Sequence, residues 1–163
     1  MKNTTRFLIA LIATGPLIAA EKNPHIDYET FARQVGEVGK YREAHRLAEP
    51  DFIAAMAEPG VVILDARSAD KYEMTHIKGA VNLPITDFTG QTLAAHIPDK
   101  KTKVLIYCNN NFEGDPRAMP MKRAPASLNI MTMVNLHTYG YKNVFELAPY
   151  QQIEKSKIPL VRK

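Results

Sequence analysis

Two short apolar segments place the tightest constraint on how this chain can fold. Residues 61–64 (VVIL) and residues 104–107 (VLIY) are uninterrupted runs of aliphatic, β-branched or aromatic side chains. Successive side chains of a strand point to opposite faces, so a continuous apolar run indicates a strand that is buried on both faces. Such strands are typical of parallel sheets that are covered by helices on both sides.

Helical patterns and shorter strands alternate with these two runs. Residues 26–38 and 127–140 show apolar residues at helical spacing, with Asp27 as the predicted N-cap of the first. Residues 49–60 predict another helix, because Pro50 suits a first turn and Pro59-Gly60 a stop. Further strands are predicted at 80–84 and 143–147, whereas residues 39–47 are polar and ambiguous. The alternation predicts an α/β domain with a mostly parallel central sheet.

The first twenty residues have the layout of a secretory signal peptide. Lys2 and Arg6 precede an apolar run at residues 7–13, and small residues stand at Ala19 and Ala20. The run is shorter than the roughly 20 apolar residues that a membrane-spanning helix needs. We therefore expect cleavage near Ala20, a periplasmic or secreted protein, and no membrane association after cleavage. The predicted organisation is a signal peptide (1–20), an N-terminal helical extension (21–48) and one folded domain (49–163).

Charge and motif content argue against several classes of partner. The formal net charge of the whole chain is +4, and it falls to +2 when Lys2 and Arg6 leave with the signal peptide. The remaining basic residues are scattered among acidic ones, so we expect no nucleic-acid partner. The one cysteine and five histidines lack the spacing of a zinc site, and no glycine-rich dinucleotide motif is present. We therefore expect neither a metal nor a cofactor.

Cys108 is the only cysteine of the chain, and it directly follows the second apolar run. A lone thiol in an oxidising compartment is buried and inert, paired with another molecule, or used in chemistry. Open α/β sheets bind ligands beyond the carboxyl ends of their strands, which is where Cys108 stands. Loop N–H groups and a helix N-terminus at that edge would stabilise a thiolate, so Cys108 is a candidate nucleophile. Simple burial as a small apolar side chain is the alternative.

A longer motif, LDARSADKYEMTHIKGAVNLP, occupies residues 64–84 and resembles the signature of rhodanese-like domains. The matching positions are Asp65, Arg67, Thr75, His76, Ile77, Gly79, Ala80, Asn82, Leu83 and Pro84. The resemblance continues through KVLIYC (103–108) to GYKNVFEL (140–147). It implies a rhodanese-like domain at residues 49–163, with a five-stranded, mostly parallel central sheet flanked by helices. Cys108 would then stand at the base of the active-site loop.

The same resemblance implies a chemistry for Cys108. In sulfurtransferases of this family the cysteine takes a sulfane sulfur from a donor such as thiosulfate, becomes a persulfide, and passes the sulfur to an acceptor. The implied partners are a small sulfur-containing anion or persulfide as donor and a thiol or protein as acceptor. Asp65 and Arg67 are interpreted as a structural ion pair near the site, and His76 as a hydrogen-bonded structural histidine.

The segment after Cys108 departs from the family pattern, because it is about a dozen residues longer than the usual active-site loop. The predicted active-site loop consists of Asn109, Asn110, Asn111, Phe112, Glu113 and Gly114, whose asparagines could support a cradle of N–H groups around the sulfur. Glu113 would oppose thiolate formation. Arg117, Lys122 and Arg123 are substrate-binding candidates, with solvated surface charges as the alternative. The insertion is expected to separate Cys108 from the helix that follows it.

The leading hypothesis is therefore an exported single-domain sulfurtransferase, and two other functions fit the same topology. A non-catalytic rhodanese-like module, whose remodelled loop binds a protein partner, is the stronger alternative. Cysteine phosphatases and arsenate reductases related to rhodaneses need an arginine six residues after the cysteine, and that position is Gly114 here.

Overall fold

A computed structural model describes residues 21–163, and the predicted signal peptide at residues 1–20 lies outside this part. The helices of the described part are α1 (Tyr28–Glu43), α2 (Glu49–Met56), α3 (Ala69–Met74), α4 (Gly90–His96) and α5 (Leu128–Thr138). The strands are β1 (Arg46–Leu47), β2 (Val62–Asp65), β3 (Thr75–Ile77), β4 (Val81–Asn82), β5 (Val104–Tyr107), β6 (Phe112–Glu113), β7 (Val144–Leu147), β8 (Gln151–Gln152) and β9 (Leu160–Arg162).

The central sheet has five strands in the order β1-β7-β5-β2-β4, and every neighbouring pair is parallel. Strand β5 lies in the middle, where all four of its side chains are buried. This position explains the uninterrupted apolar run, since both faces of a covered parallel strand meet a hydrophobic core. The predicted α/β fold with a five-stranded parallel sheet is confirmed.

The edge strand β1 was not predicted. Helix α1 continues through the ambiguous polar segment to Glu43, and β1 then pairs with β7 in the register Arg46 to Glu146 and Leu47 to Leu147. A strand of two residues is too short to leave an alternating pattern in a sequence. The sheet thus draws its fifth strand from the segment that was predicted as an N-terminal extension.

Helix α1 begins as predicted, because the Asp27 side chain accepts a hydrogen bond from the Thr30 N–H at 2.9 Å. Its apolar face is only partly used. Val38 is buried against the core, but Ile26, Phe31 and Val35 are exposed. The C-terminal half of α1 therefore packs on the domain while its N-terminal half does not.

The hydrophobic core is divided by the sheet into two clusters. Val104 and Ile106 of β5 point into the cluster that α1, α4 and α5 cover, whereas Leu105 and Tyr107 point into the cluster that α2 covers. Burial of each such side chain contributes on the order of 2 kcal/mol to stability. Cys108 continues the alternation and lies in the same cluster as Val104 and Ile106.

The segment after β7, where no strand was predicted, contains two. Strand β8 pairs in parallel with β6, and β9 pairs antiparallel with β3. Both pairs lie outside the central sheet and are two or three residues long. Over residues 21–163, no helix is both long and apolar enough to cross a bilayer.

Candidate functional site

Cys108 follows the last residue of the central strand β5 and is 1% exposed. Its Sγ lies 3.6 Å from Oγ of Ser127, the residue that precedes α5. Ser127 makes no side-chain capping bond to its own helix, so its hydroxyl is free to face the sulfur. The long loop therefore does not separate Cys108 from the next helix, contrary to expectation. The N-terminus of α5 thus lies beside the sulfur, and helix N-termini favour nearby negative charge.

Cys108 also lines a cleft of about 310 Å³ at the carboxyl edge of the sheet. Most of the other lining side chains are polar, and they come from α1, the start of the loop, α5 and the end of β7: Arg42, Asn110, Asn111, Ser127, Asn129 and Glu146. Cys108 is thus buried and lines a polar cavity. Such a cavity at the end of central strands is where this class of fold binds its ligands.

Asn111 holds the start of the loop against the end of β7. Its Nδ2 donates to the carbonyl oxygens of Leu147 and Pro149 at 2.7 and 3.1 Å. Its Oδ1 accepts from the Cys108 N–H at 2.9 Å and from Asn129 Nδ2 at 3.2 Å. One buried amide therefore fixes the backbone at the cysteine, the adjacent strand end and the first turn of α5.

Asn109 and Asn110 bind the far end of the loop. Asn109 Nδ2 donates to the Pro120 carbonyl. The Asn110 amide donates to the Lys122 carbonyl at 2.8 Å and accepts from the Lys122 N–H at 2.9 Å. No residue other than glycine has a positive φ over residues 21–163. The side chains of Asn109 and Asn110 thus hold the two ends of the loop together. A capping box at residues 108–111, in which the Asn111 N–H faces the Cys108 side chain, leaves the N–H cradle around the sulfur as a prediction.

The rest of the predicted active-site loop turns away from the sulfur. Phe112 is buried in the cluster on the other face of the sheet. Glu113 is exposed, and its carbonyl oxygen accepts from the Ile153 N–H at 2.8 Å. Gly114 follows with a φ of +108°. Glu113 is absent from the lining of the Cys108 cleft within the described part of the chain, so it is not the carboxylate that the sulfur would meet.

The three predicted substrate-binding cations do not line this cleft either. Arg117 lines a separate cleft with Asp115 and Arg162. Lys122 lines another cleft, beside Arg67. Arg123 is exposed at the start of a short 3₁₀ turn. A charged loop can fold in many ways. Here the hydrogen bonds of Asn109 and Asn110 hold the far end of the loop, and the three basic side chains lie outside the lining of the Cys108 cleft.

Arg42 is the cation that does line the cleft, and sequence reasoning missed it. It forms an ion pair with Glu146 at 2.5 Å, and Arg46 lies 3.4 Å from the same carboxylate. Burial raises the pKa of Glu146, although the hydrogen bond and charge of Arg42 act in the opposite direction. The one available signal was the charged Glu146 inside the otherwise apolar strand VFEL.

Asp65 and Arg67 form a buried ion pair at 2.6 Å. Arg67 also donates to the carbonyl oxygens of Ala118 and Thr75, at 3.0 and 2.6 Å. Tyr107 donates its hydroxyl hydrogen to Asp65. Burial and the neighbouring Asp65 charge raise the pKa of Tyr107 well above its ordinary value. This network lies on the opposite face of the sheet from Cys108 and ties the loop at Ala118 to the end of β2, which is a structural arrangement.

His76 lies in β3, where its ring stacks on Tyr72 with 3.9 Å between centroids. Its Nδ1 is 2.7 Å from the Tyr72 carbonyl oxygen. These contacts place His76 in a local structural role, outside the lining of the Cys108 cleft. Residues 21–163 contain no group of three or more histidine, cysteine or carboxylate side chains that could hold a metal ion.

Comparison with known proteins finds a matching family model and several similar proteins. The family model for the rhodanese-like domain matches residues 49–148, which is more than half of the chain. The chain is 35% identical over 46 residues to thiosulfate sulfurtransferase PspE of Escherichia coli (strain K12), a match that covers 28% of this chain and 43% of that protein.

A second curated relative is the tRNA uridine(34) hydroxylase of Hamiltonella defensa subsp. Acyrthosiphon pisum. It is 28% identical over 125 residues, which cover 75% of this chain and 29% of that protein. The chain thus spans less than half the length of each of these two relatives. Among solved structures, a variant of EanB in complex with hercynine is similar in fold, with a TM-score of 0.54 and 20% identity over 72% of this chain and 27% of that one.

Proposed function

Because the chain belongs to the rhodanese-like domain family, we propose that it is a sulfurtransferase that carries sulfane sulfur on Cys108. One observation carries the proposal: Cys108 Sγ lies 3.6 Å from Ser127 Oγ, at the N-terminus of α5 and at the wall of a polar cleft. A hydroxyl donor and a helix N-terminus beside one sulfur atom stabilise the negative charge that a nucleophilic thiol needs.

The proposed reaction has two displacement steps. The Cys108 thiolate attacks the outer sulfur of thiosulfate, a new S–S bond forms, the S–S bond of thiosulfate breaks, and sulfite leaves with the electron pair. An acceptor thiolate then attacks the terminal sulfur of the persulfide, and Cys108 leaves as a thiolate. The same surroundings serve both steps, because Cys108 Sγ is anionic at the start of the first and at the end of the second.

Burial of the cysteine restricts the substrates. Cys108 is 1% exposed, and the cleft that it lines is formed by the start of the loop, α5 and the end of β7. The proposed donor is therefore a small molecule such as thiosulfate or a low-molecular-weight persulfide. Export through the N-terminal signal sequence is part of the same proposal, supported by Lys2 and Arg6 ahead of an apolar run.

The decisive experiment is transfer of sulfur from thiosulfate to cyanide by the protein without residues 1–20. We expect thiocyanate formation by the wild-type protein and none by Cys108→Ser. Intact-mass measurement after thiosulfate treatment should show a gain of one sulfur atom at Cys108, which dithiothreitol removes. A folded wild-type protein that gains no sulfur from thiosulfate or from inorganic polysulfide would contradict the proposal and favour a non-catalytic binding module.

The related phosphatase chemistry is tested in the same way. A tetrahedral oxyanion in that class is held by a guanidinium six residues after the cysteine. Gly114 occupies this position and has no side chain to offer. We therefore expect no hydrolysis of p-nitrophenyl phosphate that depends on Cys108. Hydrolysis that disappears in Cys108→Ser would overturn the assignment as a sulfurtransferase.

A further inference from the structure

The Cys108 cleft contains a buried carboxylate to which the sulfur-transfer steps above assign no role. Glu146 lies in β7 and is 1% exposed. Arg42 and Arg46 both approach the same oxygen, Oε1, at 2.5 and 3.4 Å. Within residues 21–163 the other oxygen, Oε2, has no hydrogen-bond partner. A buried carboxylate oxygen without a donor is unusual, because its desolvation is then not compensated.

Asn129 presents a second acceptor of the same kind. It is 5% exposed and lies in the first turn of α5, two residues beyond Ser127. Its Nδ2 donates to Asn111 Oδ1 at 3.2 Å, which fixes the orientation of the amide. Its Oδ1 has no partner in the described part of the chain. Glu146 and Asn129 line one cleft with Cys108, so two residues with a buried, unpartnered acceptor lie at the cavity that Cys108 lines.

The lining also contains one unpartnered donor, Nε of Arg42. The positive charge of Arg42 is already paired with Glu146, and Arg46 is absent from the lining. The buried side-chain atoms of the lining that have no partner in the described part of the chain are therefore one carboxylate oxygen, one amide oxygen and one guanidinium N–H. A ligand that satisfies them carries an ammonium or similar N–H donor, and a carboxylate on the same molecule would find a donor in Arg42.

We propose that this cleft is the acceptor subsite of the enzyme and that it takes a small aminothiol. The proposal rests on the sulfurtransferase function. The ammonium group of the aminothiol donates to Glu146 Oε2 and Asn129 Oδ1, which directs its sulfur toward Cys108. Its thiolate attacks the terminal sulfur of the Cys108 persulfide, a new S–S bond forms, and the bond to Cys108 Sγ breaks. Cys108 leaves as a thiolate and the aminothiol leaves as a persulfide.

The size of the cleft agrees with this class of ligand. A volume of about 310 Å³ is at the lower end of the range for small-molecule sites. It accommodates a ligand with a few non-hydrogen atoms between the ammonium and the thiol. The polar lining also distinguishes the site from an apolar groove, since a purely hydrocarbon thiol would leave both acceptors without a donor.

The acceptor preference is measured in a single turnover of the Cys108 persulfide, formed with thiosulfate and freed of excess donor. The two acceptors are cysteamine and 2-mercaptoethanol, which differ in the ammonium group. Their intrinsic reactivities differ, so the quantity compared between variants is the rate with cysteamine divided by the rate with 2-mercaptoethanol. We expect this ratio to fall about tenfold from wild type to Glu146→Gln, a change equivalent to about 1.4 kcal/mol. The matched control is Glu37→Gln, which removes a negative charge from the exposed surface of α1 and should leave the ratio unchanged.

A second arm does not require sulfur transfer. Methanethiosulfonate reagents transfer an alkylthio group to the Cys108 thiolate while methanesulfinate leaves. The aminoethyl reagent carries an ammonium group, and the sulfonatoethyl reagent carries an anion. The rate with the aminoethyl reagent divided by the rate with the sulfonatoethyl reagent should fall about tenfold in Glu146→Gln and stay constant in Glu37→Gln. If no persulfide forms but this ratio falls, the sulfurtransferase proposal fails while the ammonium preference of the cleft stands.

The inference is overturned if the rate ratios in both arms are the same in wild type and in Glu146→Gln. Asn129→Ala provides a second variant should Glu146→Gln not fold, because it removes one acceptor without changing the charge. It is expected to lower both ratios about threefold, in proportion to the loss of one neutral hydrogen bond. Unchanged ratios in a folded Asn129→Ala protein would equally contradict the proposal.

Discussion

Ser127 Oγ lies 3.6 Å from Cys108 Sγ, although the two residues are 19 positions apart in the chain. The contact exists because the intervening segment is tied back on itself. Asn110 binds Lys122 near the end of the segment, and Asn111 binds Asn129 just beyond it. An insertion that would otherwise remove the helix N-terminus from the sulfur therefore leaves it in place.

The hydroxyl of Ser127 should matter for the reactivity of the thiol. In Ser127→Ala the sulfur keeps the helix N-terminus but loses its hydroxyl neighbour, so the thiolate is less well stabilised. We expect alkylation of Cys108 by iodoacetamide to slow by about three- to tenfold at neutral pH, with a similar loss in thiocyanate formation. The rate is followed by intact mass.

Ser68→Ala is the matched control, because Ser68 is exposed and its hydroxyl donates to Asp70, away from the Cys108 cleft. It should react like wild type. Equal alkylation rates for Ser127→Ala and Ser68→Ala would show that the hydroxyl does not assist the sulfur.

Asn111 should be the most important of the three asparagines for stability. Asn111→Ala removes four hydrogen bonds in a buried position and leaves the Leu147 carbonyl and the Cys108 N–H without these partners. We expect a loss of about 3 kcal/mol in the free energy of unfolding, measured with urea. Asn110→Ala, at a more exposed position, should cost about 1 kcal/mol or less. Similar losses for both variants would mean that Asn111 is not the main anchor.

Tyr107 should make the stability of the protein fall at high pH. Burial raises its pKa in the folded state, so the folded protein keeps a proton that the unfolded chain releases above about pH 10. The unfolded state then binds fewer protons, and the free energy of unfolding decreases as pH rises. Urea unfolding at pH 9 and pH 11 should show a smaller decrease for Tyr107→Phe than for wild type.

Tyr28→Phe is the control for that experiment, since Tyr28 is 77% exposed. The free energy of unfolding of this variant should decrease between pH 9 and pH 11 as much as that of wild type. A wild-type decrease that persists unchanged in Tyr107→Phe would assign the effect to other groups.

Gly114 should not tolerate a side chain. Its φ is +108°, and a Cβ built there would lie 3.2 Å from Cγ2 of Ile153. We expect Gly114→Ala to lower the free energy of unfolding by about 2 kcal/mol, through backbone strain and crowding. Gly36→Ala should raise the free energy of unfolding instead. Gly36 lies inside α1 with open space around it, and alanine favours a helix over glycine by about 0.5–1 kcal/mol. Thermal denaturation distinguishes the two, and a neutral Gly114→Ala would contradict the argument.

The sequence predicted well those elements that depend on residues close together in the chain. The run at residues 104–107 identifies the central strand because both of its faces are covered. Asp27 marks the start of α1 through a bond to Thr30, only three residues away. The predictions failed where the partner is distant in the chain. Strand β1 is two residues long and is defined by pairing with β7, which lies about 100 residues later.

The same distinction between local and distant partners applies to the candidate site. The sequence by itself determined the family, the parallel sheet and the address of Cys108 at the end of its central strand, since these depend on short-range periodicity and a local motif. Only the tertiary structure decided which side chains line the cleft with Cys108. Arg42, Ser127 and Glu146 replace the predicted Glu113 and Arg117 because long-range hydrogen bonds set the path of the loop. Local sequence cannot express those bonds, because each one joins residues that only the folded chain brings together.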